Sequence, residues 1–113
     1  MSTRSFIAVK ESDNKYRGIY CHHDGYPEHV GTILNKNYND IDKINKLIDL
    51  GDISSLYENT DETQAYCRDY GEDWEDVKPK EFNKLIDLGN YATRCGAEYL
   101  YVFDDNAWAI RRT

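Results

Sequence analysis

No stretch of this sequence approaches the ~18 consecutive apolar residues that a membrane-spanning helix requires, so none is expected. The opening residues, MSTRSFIAVKESD, hold an apolar run too short for a secretory signal and no small-residue cleavage site after it. A cytoplasmic location is therefore expected. Cysteine is scarce and scattered. Cys21, Cys67 and Cys95 form no C-x-x-C pair, so zinc-finger spacing is absent. In a reducing compartment they read as free thiols, two or three of them buried.

Basic residues are almost missing between positions 52 and 76. There Arg68 stands alone against nine carboxylates: Asp52, Glu58, Asp61, Glu62, Asp69, Glu72, Asp73, Glu75 and Asp76. Residues 1–50 carry seven bases and seven acids, so the net charge of -7 comes from this one segment. A nucleic-acid backbone would be repelled there, which argues against direct nucleic-acid binding. The segment reads either as a solvated loop that keeps the chain soluble or as an anionic surface that docks on a basic partner.

What is present suits a folded chain. Its 113 residues are enough for a single domain with a modest core. An apolar share of 40% and an aromatic share of 13%, ten of them tyrosines, exceed what disordered chains carry.

Arg4 to Lys10 and Tyr16 to His22 read as strands joined by the turn residues Ser12, Asp13 and Asn14. Gly18 inside the second strand marks a bulge or a close backbone approach. Pro27 opens a helix whose apolar stripe is Val30, Ile33 and Leu34. Asn39 or Asp40 caps another, with Ile41, Ile44, Leu47 and Ile48 on one face and Gly51 at its end. Thr63 to Tyr70 alternates like a strand, and Glu72 to Val77 reads as a loop. Pro79 opens the longest helix, with Phe82, Leu85, Ile86 and Tyr91 as its buried side and a close contact expected at Gly89. Glu98 to Phe103 and Ala107 to Arg112 flank the turn Asp104-Asp105-Asn106, a strong hairpin signal. The expected fold is α+β: an antiparallel sheet of about five strands with about three helices packed on one face.

The heptapeptide NKLIDLG occurs twice, at positions 45–51 and 83–89. It reads as an old duplication or simply as a convenient apolar helix face. Two copies fall short of the ~3 or more that a stacked repeat array needs.

The segment YCHHDGYPEHVG, Tyr20 to Gly31, gathers the three histidines beside a cysteine and several polar groups. In an extended chain Cys21 and His23 point one way, Tyr20 and His22 the other. A metal would draw on Cys21 with His23, or on His22 with Asp24 and His29, but no H-E-x-x-H or comparable spacing appears. Acid–base chemistry by His22 with Asp24 or Glu28, and a nucleophilic Cys21, rest on proximity alone. Asp24 ahead of Pro27 reads most simply as a helix cap, with Glu28 favouring the helix dipole. Tyr20, His22, Asp24 and Tyr26 then stand around a rigid corner suited to contact. No cofactor or metal ligand is assigned.

TRSFIAVK, YCHHDGYPEHVG, LIDLGDISSL and AEYLYVFDDNAWAIRR together resemble a family of small uncharacterised proteins of bacteriophages and prophage-bearing bacteria. The likeness covers most of the chain and is weakest in the acidic middle. His23 departs from it, since the family pattern more often has tryptophan there. The resemblance implies a phage accessory role and transfers no catalytic residue. Small acidic phage proteins of this kind often antagonise host defence proteins, whose nucleic-acid channels are basic. On that expectation the contact residues are Tyr20, His22, Asp24 and Tyr26 with Asp69, Tyr70, Glu72, Asp73, Trp74, Glu75 and Asp76, aromatics anchoring and carboxylates steering toward a host protein. The alternative is a small enzyme or a ligand- or metal-binding protein using Tyr20 to His29.

Overall fold

Strand β1 (Ser5–Ser12) buries Phe6, Ile7, Ala8 and Val9 completely. Successive strand residues face opposite sides, so four consecutive buried side chains require cover on both faces of the sheet. That cover organises the molecule, whose computed structural model describes residues 3–113.

On one side of β1 runs β2 (Lys15–Cys21), antiparallel; on the other runs β6 (Tyr99–Asp104), parallel. Beyond β6 lies β7 (Ala107–Arg112), antiparallel, at one edge of the sheet. The far edge of β2 is shared. β3 (Ile53–Ser55) pairs parallel at its end, and β5 (Lys80–Phe82) pairs antiparallel near its start. β4 (Gln64–Ala65) closes that side against β3.

A π-helical turn at Pro27–Gly31 runs into α1 (Thr32–Asn37), followed by α2 (Ile41–Ile48). Val30, Leu34, Ile44, Leu47 and Ile48 pack on the face that carries Ile7, Val9, Ile19, Tyr101 and Phe103. Two short helices, α3 (Tyr66–Tyr70) and α4 (Trp74–Val77), follow in the acidic segment. The opposite face, with Phe6, Ala8, Leu100 and Val102, is covered by Leu88 and Ala92 of α5 (Leu85–Arg94). No helix among the described residues is long and apolar enough to cross a membrane.

The fold is α+β, as the sequence implies, but its sheet differs in detail. It has seven strands among the described residues rather than about five, and it is mixed rather than antiparallel. Helices lie on both faces rather than one, because β1 and β6 are apolar on both sides.

Both expected hairpins form. The second turns through Asp105 and Asn106 at φ 54° and 61°, the left-handed pair that a two-residue turn uses. At Gly18 a β-carbon would collide with the ring of Phe6, so the close approach is real. Asp40 caps α2 by accepting from the Asp42 N–H, and Gly51 ends that helix at φ 78°.

Three expectations fail. Thr63 to Tyr70 gives only the two residues of β4 before α3 begins, and Glu72 to Val77 contains α4. The residues after Pro79 form β5, because β2 offers them a free edge, so α5 starts only at Leu85. Leu85 and Ile86 are consequently exposed, while Phe82 and Tyr91 do pack against Phe6, and Gly89 has no close neighbour. Of the cysteines only Cys21 is fully buried.

Candidate functional site: the histidine corner and the acidic flank

Past the end of β2 the backbone keeps pairing with the β3 chain: the His22 N–H reaches the Ile53 carbonyl at 3.1 Å and the His23 N–H the Ser54 carbonyl at 2.9 Å. Asp24 then turns the chain in the left-handed region, at φ 55°. Gly25 donates to the Thr3 carbonyl at 2.8 Å and accepts from the buried Tyr101 hydroxyl at 2.7 Å. A β-carbon on Gly25 would lie 2.6 Å from Ser5, so only glycine fits. These bonds make the corner rigid. The expected cap does not form: Tyr26 occupies the cap position and makes no side-chain bond, because Asp24 is spent on the turn itself. Asp24, Tyr26 and Glu28 are exposed.

The alternation expected along Tyr20 to His23 holds as far as His22 and fails at His23, whose ring meets that of His22. The Cys21 side chain is buried; Tyr20 and His22 lie together, the Tyr20 hydroxyl 2.8 Å from His22 Nδ1. The rings of His22 and His23 meet edge to face at 4.7 Å. Burial, then His23 and Arg4, hold the His22 pKa below its ordinary value, and burial holds Tyr20 above its own. The pair at neutral pH is therefore a phenol and a neutral imidazole sharing one hydrogen bond, whose direction is set by the imidazole tautomer. Burial pushes the Cys21 thiol up to about 12 and its sulfur donates to the His23 carbonyl at 3.5 Å. A protonated, enclosed thiol is a poor nucleophile and a poor metal ligand. Among the described residues no group of three or more His, Cys, Asp or Glu side chains is placed to hold a metal ion.

The acidic flank lies directly beside this corner. Asp52 joins them: its carboxylate accepts the Tyr20 backbone N–H at 2.9 Å, and its own backbone bonds to Val77 and Tyr66. Burial raises the Asp52 carboxyl to about 6, against the opposing pull of the Tyr20 N–H and Lys80. Residue type carries no warning of this, since Asp52 looks like any other acid of the run.

The remaining carboxylates divide by role. Asp69 accepts the Ala65 N–H at 2.7 Å and pairs with Arg68 at 3.0 Å, which holds its carboxyl below the usual range. Asp73 caps α4 by accepting the Glu75 N–H, and Glu75 pairs with Lys78 at 3.2 Å. Both expected contact acids Asp69 and Asp73 thus shape the chain. Asp61, Glu62, Glu72 and Asp76 are exposed. The Tyr70 hydroxyl bonds to Gln64 at 2.6 Å while its ring stays exposed, and Trp74 lies across Gly51 with 41% of its surface open. Asp61, Glu62, Asp69 and Tyr70 line one shallow depression of about 280 Å³. Sequence reasoning named Asp69 and Tyr70 but passed over Asp61 and Glu62, whose only signal was membership of the run.

The arrangement is an anionic relief with aromatic prominences, set on rigid short helices, next to a neutral histidine–tyrosine pair. No protein-family model matches the chain, and neither the curated proteins nor the solved structures give a match.

Proposed function

We propose that this protein is a non-enzymatic accessory protein of phage or prophage origin that binds and inhibits a basic host protein, such as a nucleic-acid-binding defence component, through its acidic flank. The observation that carries this reading is the open relief from Asp61 to Asp76, where exposed carboxylates surround the partly exposed Tyr70 and Trp74. Aromatic anchors supply binding energy at protein interfaces, while carboxylates steer the encounter and repel nucleic acid. The corner around His22 and Tyr26 adjoins this surface through Asp52 and extends it. Binding takes place in the host cytoplasm.

The test is capture from host lysate by the tagged protein, with the charge removed only at carboxylates that accept no backbone N–H. The variant Asp61→Asn, Glu62→Gln, Glu72→Gln, Glu75→Gln, Asp76→Asn retains the two carboxylates that shape the chain, Asp69 and Asp73. A stoichiometric basic partner should be captured by the parent chain, more weakly as salt rises, and lost with the variant. Equal capture by both chains would remove the acidic flank from the mechanism.

A second reading, a small ligand-binding protein or enzyme, is favoured by the Tyr20–His22 hydrogen bond, a pair able to donate and accept. It requires that His22→Ala abolish binding or turnover of a small molecule; the inhibitor reading requires partner capture to survive that change.

A further inference from the structure

The terminal strands of the sheet are treated differently: β4 and β5 are short, β7 is long. The β4 edge is two residues long and passes at once into α3, a common way to leave no room for another strand. The β7 edge is six residues long and its pairing with β6 runs unbroken from Asp104↔Ala107 to Tyr99↔Arg112. Antiparallel strands direct alternate residues inward and outward. The Thr113 N–H bonds inward to the Glu98 carbonyl, which places Ala107, Ala109 and Arg111 in the inward set. Trp108, Ile110 and Arg112 therefore turn their N–H and C=O groups away from the sheet. Ile110 is 48% exposed beside Trp108, on the α1 face.

The charge along this strand is polar end to end. Asp105 stands in the turn that leads into it, Arg111 and Arg112 at its other end, in a chain of net charge -7. A strand with opposite charges at its ends is complementary to itself when reversed.

We propose that β7 pairs antiparallel with β7 of a second copy of this chain, centred on Ala109, to make one continuous sheet. In this register Trp108 lies opposite the partner's Ile110 and they exchange their outward N–H and C=O groups. Arg111 becomes the diagonal neighbour of the partner's Asp105. The twofold repeats each pair, so the contact closes as a dimer. Parallel pairing would instead set arginine beside arginine. A single strand buries little area, so the dimer is weak and concentration-dependent. The acidic flank, at the opposite edge of each sheet, stays open in it.

Sedimentation velocity should show a shift from monomer to dimer between about 1 μM and about 1 mM, the range of weak association. Added salt should move the transition to higher concentration, and Ile110→Asp should weaken it at least tenfold. At the twofold the two Ala109 residues form a non-hydrogen-bonded pair, with Cα atoms about 4.5 Å apart, within disulfide reach. Ala109→Cys should therefore give an oxidised dimer in excess over the parent chain, and Ala107→Cys should not. A monomer up to about 1 mM, the weak limit of useful affinity, overturns the proposal. So does a dimer indifferent to Ile110→Asp, or one that cross-links equally from both positions. Amide shifts at Trp108 and Ile110 on adding an acidic extended peptide, in a chain that stays monomeric, assign the edge to a foreign strand instead.

Discussion

The heptapeptide NKLIDLG is the same at 45–51 and 83–89, yet the two copies do opposite things. In the first, Leu47 and Ile48 are completely buried, Leu50 is half-buried, and Gly51 takes a left-handed conformation that ends α2. In the second, Leu85 and Ile86 are 37% and 67% exposed, Leu88 is completely buried, and Gly89 sits inside α5. The flanks decide. Ile44, three residues before Leu47, is already in the core, so the stripe continues through Leu47 and Ile48. The second copy follows β5, whose pairing with β2 fixes where the chain enters α5. Ala92, four residues after Leu88, then sets the buried side. Ile86 lies two residues from Leu88, about 200° around the helix, and must face water. Identical local preference supplies a helix; neighbours choose its face and its end.

The largest expected contrast is at the fourth position of the heptapeptide. Ile48→Ala leaves a cavity in the main core and should cost about 2–5 kcal/mol, whereas Ile86→Ala should change stability by less than about 0.5 kcal/mol. Chemical denaturation of both variants measures it, and equal losses would end the argument from context. Next come the glycines, where the sign should reverse. A β-carbon on Gly51 would meet a left-handed backbone and lie 2.5 Å from the Val77 carbonyl oxygen. Gly51→Ala should destabilise by about 2 kcal/mol or more. Gly89→Ala meets open space within a helix and should stabilise by up to about 1 kcal/mol. Melting temperatures moving in opposite directions would confirm the reversal.

The same contrast explains how far the sequence could be read. Segments whose information is local were legible: the Asp105-Asn106 turn, the Asp40 cap, and Gly18 against Phe6 all announce themselves by residue type. Segments settled by partners distant in the chain were not. Lys80–Phe82 is a strand because β2 has a free edge there, and nothing in KEF says so. FIAV and YLYVF did carry a readable signal, since runs apolar at every position belong to strands covered on both faces. At the candidate site the acidic run was visible as composition, but its division into structural acids, Asp69 and Asp73, and open ones such as Asp61 and Asp76, depends on which backbone N–H each meets.

Asp52 sharpens the comparison by one more residue. It directly follows the first copy, where Asn90 follows the second. Asp52→Asn therefore gives the first copy its twin's successor, and it keeps an oxygen able to accept the Tyr20 N–H. Burial has raised the carboxyl to about 6 in the folded chain, from an ordinary value near 3.8. The folded state thus holds the proton more tightly than the unfolded one. The stability this confers is complete below about pH 4 and is lost as pH rises through about 6. At neutral pH the ionised, half-buried carboxylate weakens the fold, and Asp52→Asn should stabilise it by on the order of 1 kcal/mol. The parent chain should lose stability between pH 4 and pH 7 relative to the variant, and the two should converge at the acid end. Denaturation midpoints followed across that range test the sign. A variant less stable than the parent at pH 7 would mean that the charge itself, acting on Tyr20 and Lys80, holds β2 to β3.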